Sequence, residues 1–381
     1  MARIVIGAYL FRFPLGGYMS WVLQWLVGFE RLGHDVYVME RGDYPDSCYN
    51  PSNGQQSDDC SYGLATVGAF LSAFGFGDRW CFHDRTGNYH GLSQSAVTDI
   101  FASADLFVDM GAHGAWQHEA ARAARTVLVD GEPGRTQIRR RQRKDLGLDV
   151  PEYDFYFTVG LNVGTGRSIV PTDGIQWRPV FDPINSDLFP VVPGQPDAPF
   201  TTIMSWRAHS ELEHDGVTYG QKNRSFESFV ALPGRVRAPL EMAVSGGREA
   251  TTALAGAGWR VRNALNVTVS FDTWREYITS SRGEFSVCKD IFVSMNTGWF
   301  SDRSAVYLAC GRPVVLQDTG FSAHLPCGRG LFAFRTVEEA AAAIDAIQSD
   351  YEQHSRGARE IAAEYLAAEK VLPRFLREMG L

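Results

Sequence analysis

Four groups of residues in this chain have the types and spacing for chemistry on an anionic ligand. The densest is Ser301-Asp302-Arg303, where the loop SMNTGWF gives way to the run SAVYLAC, then to Gly311-Arg312-Pro313 and the apolar VVL. That order predicts a loop, a short helix, a turn and a buried strand. A loop feeding a helix leaves backbone N–H groups unpaired at the positive end of the dipole, which suits an anion; the plain alternative is an ordinary capped helix. The second group is Lys222 and Arg224, at the start of the helical stretch KNRSFESF behind a long polar loop. A cation there opposes the helix dipole, so a solvated lysine explains the position less well than one that meets an anion. The third is Gly16-Gly17, between an apolar strand and a helix, where missing β-carbons let backbone approach a ligand. The fourth is His113 in DMGAHG, flanked by glycines at the end of the apolar run Leu106–Met110.

These groups need elements to hold them. The opening ARIVIGAYL predicts a strand over Ile4–Leu10, Tyr18–Leu32 has helical periodicity closed by Gly33, and Asp35–Met39 is a second strand. Strand, helix and strand in that order form a βαβ unit and hence a parallel sheet. Asp43–Tyr62 is polar and reads as an excursion loop. Strands are expected at Leu106–Met110, Thr126–Val129 and Tyr153–Val159, with a helix over Trp116–Arg125. Prolines at 183, 190, 193, 196 and 199 mark a linker. The alternation then resumes, with strands expected at Thr201–Ser205, Leu240–Ser245, Val267–Ser270, Ile291–Met295 and Pro313–Gln317 and helix over Val337–Met379. The division expected is 1–187 for a first α/β domain, 188–200 for the linker, 201–360 for a second and 361–381 for a terminal helix. In doubly wound sheets of this kind ligands sit at the carboxyl ends of the strands, which is where His113 falls.

The chain has 381 residues and a net charge of −8, which disfavours a nucleic-acid partner. The one basic run, Arg139 to Lys144, reads as a solvated helix face. No signal segment opens the sequence and no apolar run reaches the ~20 residues of a membrane span, so a cytoplasmic protein without an integral membrane segment is expected. Six cysteines without a CxxC pair read as reduced thiols. Cys48 and Cys60, in the polar excursion, are either metal ligands or, the preferred reading, thiols of a mobile loop. The oligomeric state is not legible.

Two α/β halves, with the Phe300–Val315 segment in the second, resemble the GT-B glycosyltransferases, two Rossmann-like domains facing each other across a cleft. The resemblance covers nearly the whole chain in architecture and three segments in motif. Leu308 to Val315, LACGRPVV, is similar to the helix end and strand of the retaining family that includes glycogen and sucrose synthases. That family keeps a glutamate pair where this chain has Gly298 and Val306, and Asp302 is the nearest carboxylate able to stand in. Lys222, with Arg224 beside it, matches the place where the family keeps a cation for the donor diphosphate, and Gly16-Gly17 matches the glycine pair that reaches the donor phosphates. GxGxxG is absent and only the acidic Glu40 ends the second strand, so a nicotinamide cofactor is disfavoured.

The resemblance implies transfer of a sugar from a nucleotide-diphospho-sugar to a hydroxyl of a small acceptor, a natural product among the options. UDP or dTDP is expected ahead of GDP, with no cofactor and no metal. His113, Lys222 and Arg303 are expected to be catalytic, with Gly16, Gly17, Arg224, Ser301 and Asp302 on the donor and Phe11, Phe13 and Trp116 against the acceptor. No histidine follows the first strand, as it does in the inverting natural-product group, whereas His113 falls where the retaining group keeps one. A retaining reaction is therefore expected. A sugar-nucleotide 2-epimerase or a degenerate GT-B binding protein is the alternative.

Overall fold

A computed structural model describes every residue except 43, 112 and 113, with backbone only at 248 and 249. The first half contains β1 (Arg3–Gly7), α1 (Gly16–Arg31), β2 (Asp35–Arg41), β3 (Cys48–Asn50), β4 (Gln55–Ser57), α2 (Ser61–Ala73), β5 (Trp80–His83), β6 (Tyr89–Gly91) and α3 (Gln94–Ala102). It continues with β7 (Leu106–Asp109), α4 (Gln117–Ala120), β8 (Thr126–Asp130), α5 (Arg135–Asp145), β9 (Phe155–Thr158) and β10 (Trp177–Pro179). Eight of these strands make one sheet in the order β10-β9-β8-β7-β1-β2-β5-β6. All pair in parallel except β6, which closes a hairpin on β5. Strands in the middle, such as β1 and β7, are apolar on both faces because helices cover both.

The second half contains β11 (Phe200–Ser205), β12 (Leu212–His214), β13 (Val217–Tyr219), α6 (Lys222–Phe226), β14 (Leu240–Ser245), α7 (Arg248–Gly256), β15 (Arg260–Asn263), α8 (Leu265–Thr268) and α9 (Phe271–Ser280). After these come β16 (Gly283–Ser286), α10 (Asp290–Ser294), α11 (Asp302–Ala309), β17 (Val314–Gln317), β18 (Leu331–Phe334), α12 (Val337–Ser349), α13 (Tyr351–Ile361) and α14 (Ala368–Arg377). Its six-stranded sheet, β15-β14-β11-β16-β17-β18, is parallel throughout. Neighbouring strands leave β1 and β11 on opposite sides, giving each sheet a switch point where its carboxyl ends open into a crevice.

α14 returns to the first half. A β-carbon on Gly28 of α1 would stand 2.5 Å from the Leu372 side chain, so glycine lets the two helices approach. Phe375 meets Trp25 edge to face at 5.3 Å and Phe157 at 4.7 Å, and Ile184 bridges to Ala367.

Several expected elements come out differently. Val267–Ser270 is not a strand. Leu265–Thr268 is a single helical turn, and Ser270 caps α9, accepting the Thr273 N–H at 3.1 Å. Ile291–Met295 falls in α10, and the helix expected at Trp116–Arg125 shrinks to α4. Runs of four or five mostly apolar or β-branched residues carry no periodicity that separates one buried helical turn from a strand; the sheet positions are taken by β15 and β16. The excursion at 44–62 is built around the β3–β4 hairpin and the start of α2.

Candidate functional site

The carboxyl ends of the two sheets converge on a shared group of charged side chains. Arg303, in the first turn of α11, donates Nε to Glu284 Oε1 at 2.8 Å, Nη1 to the Ile203 carbonyl at 2.7 Å and Nη2 to Ser286 Oγ at 2.8 Å. Glu284 is fully buried on β16. Burial opposes the charge of Arg303, but Glu284 and the surrounding oxygens hold its pKa above the ordinary value. This cation is thus already neutralised and braced between β11 and β16.

Lys222 is different. It is buried at the first position of α6, and no hydrogen bond or ion pair joins its ammonium to the described residues. Burial and the nearby Arg303 guanidinium push its pKa down to about 7, against weaker support from Cys288 and Glu284. A buried cation held so far below 10.5 is a group made ready for an anion. Gln221 Oε1 beside Lys222 in the chain, Glu284 Oε2 on the partner of Arg303 and Ser304 Oγ in the first turn of α11 are buried without partners among the described residues. Unpaired buried polar atoms cost ~1–3 kcal/mol each, so native chains keep few without a reason.

The other wall of the cleft comes from the first half. Lys289, after β16, pairs with Glu132, after β8, and ties the two sheets together at their carboxyl ends. Tyr9 and Tyr18 meet edge to face at 5.0 Å, and the charges of Glu132 and Asp302 reach both phenols. Asp182, just past β10, accepts the Trp21 indole N–H at 2.9 Å and that of Trp25 at 3.3 Å. Burial and the neighbouring Asp302 push its carboxyl up to about 7. Asp302 itself is raised by burial, with Arg303 pulling the other way. Asp182 and Lys222, both displaced to about 7, and the raised carboxyl of Asp302 therefore share one cleft.

The structure thus brings together Lys222, Arg303, Ser301 and Asp302. Ser301 is the buried N-cap residue of α11, and its side chain makes no capping bond to the helix. Arg224 is turned away. Half exposed, it donates to the Thr218 carbonyl at 2.9 Å and faces Asp290 at 3.7 Å, bracing the β12–β13 hairpin. Gly16 and Gly17 open α1, which lacks a side-chain cap. A β-carbon on Gly16 would lie 2.3 Å from the Ser270 carbonyl oxygen, so that glycine is needed for α1 to touch α9. His113 lies outside the described residues.

The aromatic expectations divide. Phe11 is completely buried against Trp80 and Phe82, and Trp116 is completely buried under Arg41, whose guanidinium sits 4.1 Å from its ring. Both are core residues, out of an acceptor's reach. Phe13 keeps partial exposure beside Tyr9 and Tyr18, at 6.3 and 6.1 Å. Glu40 is consumed locally: its carboxylate accepts the N–H groups of Leu10, Phe11 and Arg12 and the Arg12 Nε at 2.8 Å, clamping the loop after β1. It is therefore not available to a dinucleotide ribose.

Sequence reading missed Glu284, Lys289, Asp182 and Tyr9. The one signal was Glu284, a charge inside the apolar stretch EFSV. Asp182-Pro183 reads as linker, and nothing local shows that two indoles will meet it. Gly298, in the place of a family glutamate, has φ +75°, and a β-carbon there would stand 2.7 Å from the Asn162 nitrogen. The loop instead fastens to the first half, Asn162 N–H donating to the Thr297 carbonyl at 3.0 Å.

No protein-family model matches this chain, and no curated protein matches it in sequence. Solved structures do. HepE of Anabaena, in complex with UDP and glucose, superposes with a TM-score of 0.58 at 11% identity, covering 100% of this chain and 99% of that one. The fold is GT-B. Sucrose-phosphate synthase of Thermosynechococcus elongatus gives 0.56 at 13% identity, covering 99% of each chain. AviGT4, a glycosyltransferase involved in avilamycin A biosynthesis, gives 0.53 at 12%, covering 99% of this chain and 97% of that one. Identities this low speak for the GT-B architecture; residue roles must come from the cleft itself.

Proposed function

We propose that this chain is a glycosyltransferase that takes a sugar from a nucleotide-diphospho-sugar, with UDP or dTDP as the leaving diphosphate, and passes it to a hydroxyl of a small acceptor. The observation that carries the reading is Lys222, a buried cation with no carboxylate of its own among the described residues, set beside Arg303 and the start of α11 at the carboxyl end of the second sheet. A leaving diphosphate gains negative charge as the glycosidic bond breaks. Lys222 and the positive end of α11 oppose that charge where water is excluded, which is worth ~3–4 kcal/mol per well-placed donor. That supply of positive charge needs no metal. Arg303, neutralised by Glu284, holds the two strands and the helix start in register for Lys222.

Asp302 stands in for the absent glutamate pair as acceptor of a ribose or sugar hydroxyl. Asp182, poised near neutrality, faces it from the acceptor side with Tyr9, Tyr18 and Phe13. Retention is the preferred course, the acceptor proton leaving with the diphosphate on the same face; in an inverting reaction Asp182 is the group able to take that proton. HepE and an α-glucosyltransferase in complex with DNA were both solved with UDP, which supports the choice of donor. The net charge of −8 argues against DNA as acceptor here.

The test is a thermal-shift series with UDP, dTDP, GDP and ADP, followed by release of diphosphate from the matching sugar donors. Stabilisation by UDP or dTDP of about 2.7 kcal/mol at a hundredfold excess over Kd is expected, with turnover. Binding without turnover of any donor would make this a binding protein on a GT-B scaffold, and absence of nucleotide binding would remove the reading altogether.

A further inference from the structure

The excursion between β2 and α3 holds a cluster outside the cleft. Cys60 immediately precedes α2, Asp84 directly follows β5 and His90 lies on β6, and one ligand atom from each lies within 4.8 Å of the others. We propose that Cys60, Asp84 and His90 form a structural zinc site that fastens the excursion to the edge of the first sheet. A tetrahedral zinc with Zn–S of ~2.3 Å and Zn–N or Zn–O of ~2.0–2.1 Å separates its ligand atoms by roughly 3.4–3.6 Å, so Asp84 Oδ2 and His90 Nε2, 2.8 Å apart, would open by about half an ångström and the Cys60 sulfur would close by at most about an ångström.

The geometry is that of a built site. Asp84 Oδ1 accepts the Thr86 N–H, the Thr86 hydroxyl and the Asn88 N–H at 2.8–2.9 Å, which fixes the carboxylate and turns Oδ2 to His90 Nε2 at 2.8 Å. Outer hydrogen bonds of this kind orient metal ligands. The His90 ring is also held beside Phe82, at 6.3 Å. A mixed sulfur, nitrogen and oxygen set suits zinc, whereas magnesium and calcium prefer oxygen alone. The three side chains leave the fourth tetrahedral position to a water molecule. On binding, the Cys60 thiol releases its proton to solvent and any proton on His90 Nε2 leaves that nitrogen, freeing it for the metal.

The site would stiffen one wall of the acceptor side. Tyr49 donates its N–H to the Arg12 carbonyl at 2.8 Å and stacks on Phe13 at 6.4 Å, and a β-carbon on Gly63 of α2 would stand 2.1 Å from the Phe11 carbonyl oxygen. Hairpin and helix thus press directly on the loop that carries Phe11 to Phe13.

The experiment uses the full chain, purified free of chelator and of any histidine tag. Elemental analysis should find stoichiometric zinc. Replacement by cobalt should give the intense visible bands of a tetrahedral centre and a thiolate charge-transfer band. Cys60→Ser and His90→Ala should each lower zinc affinity at least tenfold and abolish the charge-transfer band or weaken the visible bands respectively, while Cys327→Ser, at an exposed cysteine elsewhere, should change neither. Near-ultraviolet circular dichroism establishes that the variants are folded. Zinc-free protein that fails to bind added zinc at micromolar concentration, or a cobalt spectrum indifferent to both Cys60→Ser and His90→Ala, would overturn the proposal.

Discussion

Replacing Lys222 with methionine should stabilise the ligand-free protein while weakening its hold on UDP. The ammonium is buried without a partner among the described residues, and its pKa falls from 10.5 to about 7 on folding. At ~1.4 kcal/mol per tenfold change in proton affinity, that displacement sets a ceiling near 5 kcal/mol on the cost of the charged form; relaxation of the cleft brings the expected gain for Lys222→Met to about 2 kcal/mol at pH 7. The pH dependence follows from the direction. Because the folded state holds the proton more weakly, the unfolded chain binds more protons between pH 7 and 10.5, so stability due to this group rises with pH across that window. The advantage of the methionine variant should therefore be greatest below pH 7 and fade toward pH 10.5. Urea unfolding of both proteins at several pH values measures it. UDP reverses the balance: its negative charge draws a proton onto Lys222, so calorimetric titration above pH 7 in buffers of different ionisation enthalpy should reveal proton uptake in the wild type and none in the variant. A methionine variant that is less stable at every pH, or one that binds UDP as tightly as the wild type, would refute the argument.

Other consequences are equally direct. Arg303→Met strands Glu284 as an unpaired buried charge and should cost about 3–5 kcal/mol; adding Glu284→Gln should recover a large part of the loss, read as non-additivity in unfolding free energies. Gly298→Glu, which writes the family's residue back into the chain, should fail: the positive φ and the Asn162 nitrogen at 2.7 Å predict a loss of at least ~2 kcal/mol and no gain in turnover.

Much of this was legible in the sequence, for identifiable reasons. Central strands such as β1, β7 and β17 announce themselves because both faces are buried, making each a short apolar run between a helix and a turn. Lys222 and the Ser301-Asp302-Arg303 turn stand out because a lysine at a helix start and a polar triplet before an apolar helix are local facts. Edge strands such as β15, RVRN, lack that signature.

What the sequence by itself determined is therefore the two-unit α/β plan and the side chains that could meet a diphosphate. Tertiary structure alone decided how each is used. It gave Arg303 a buried carboxylate from β16 and left Lys222 with none among the described residues; it buried Phe11 and Trp116 and left Phe13 partly exposed; and it carried Asp182 to two indoles some 160 positions earlier. Burial and pairing set the cost of a charge, and both depend on which distant segments arrive at the same place, a quantity no local pattern contains.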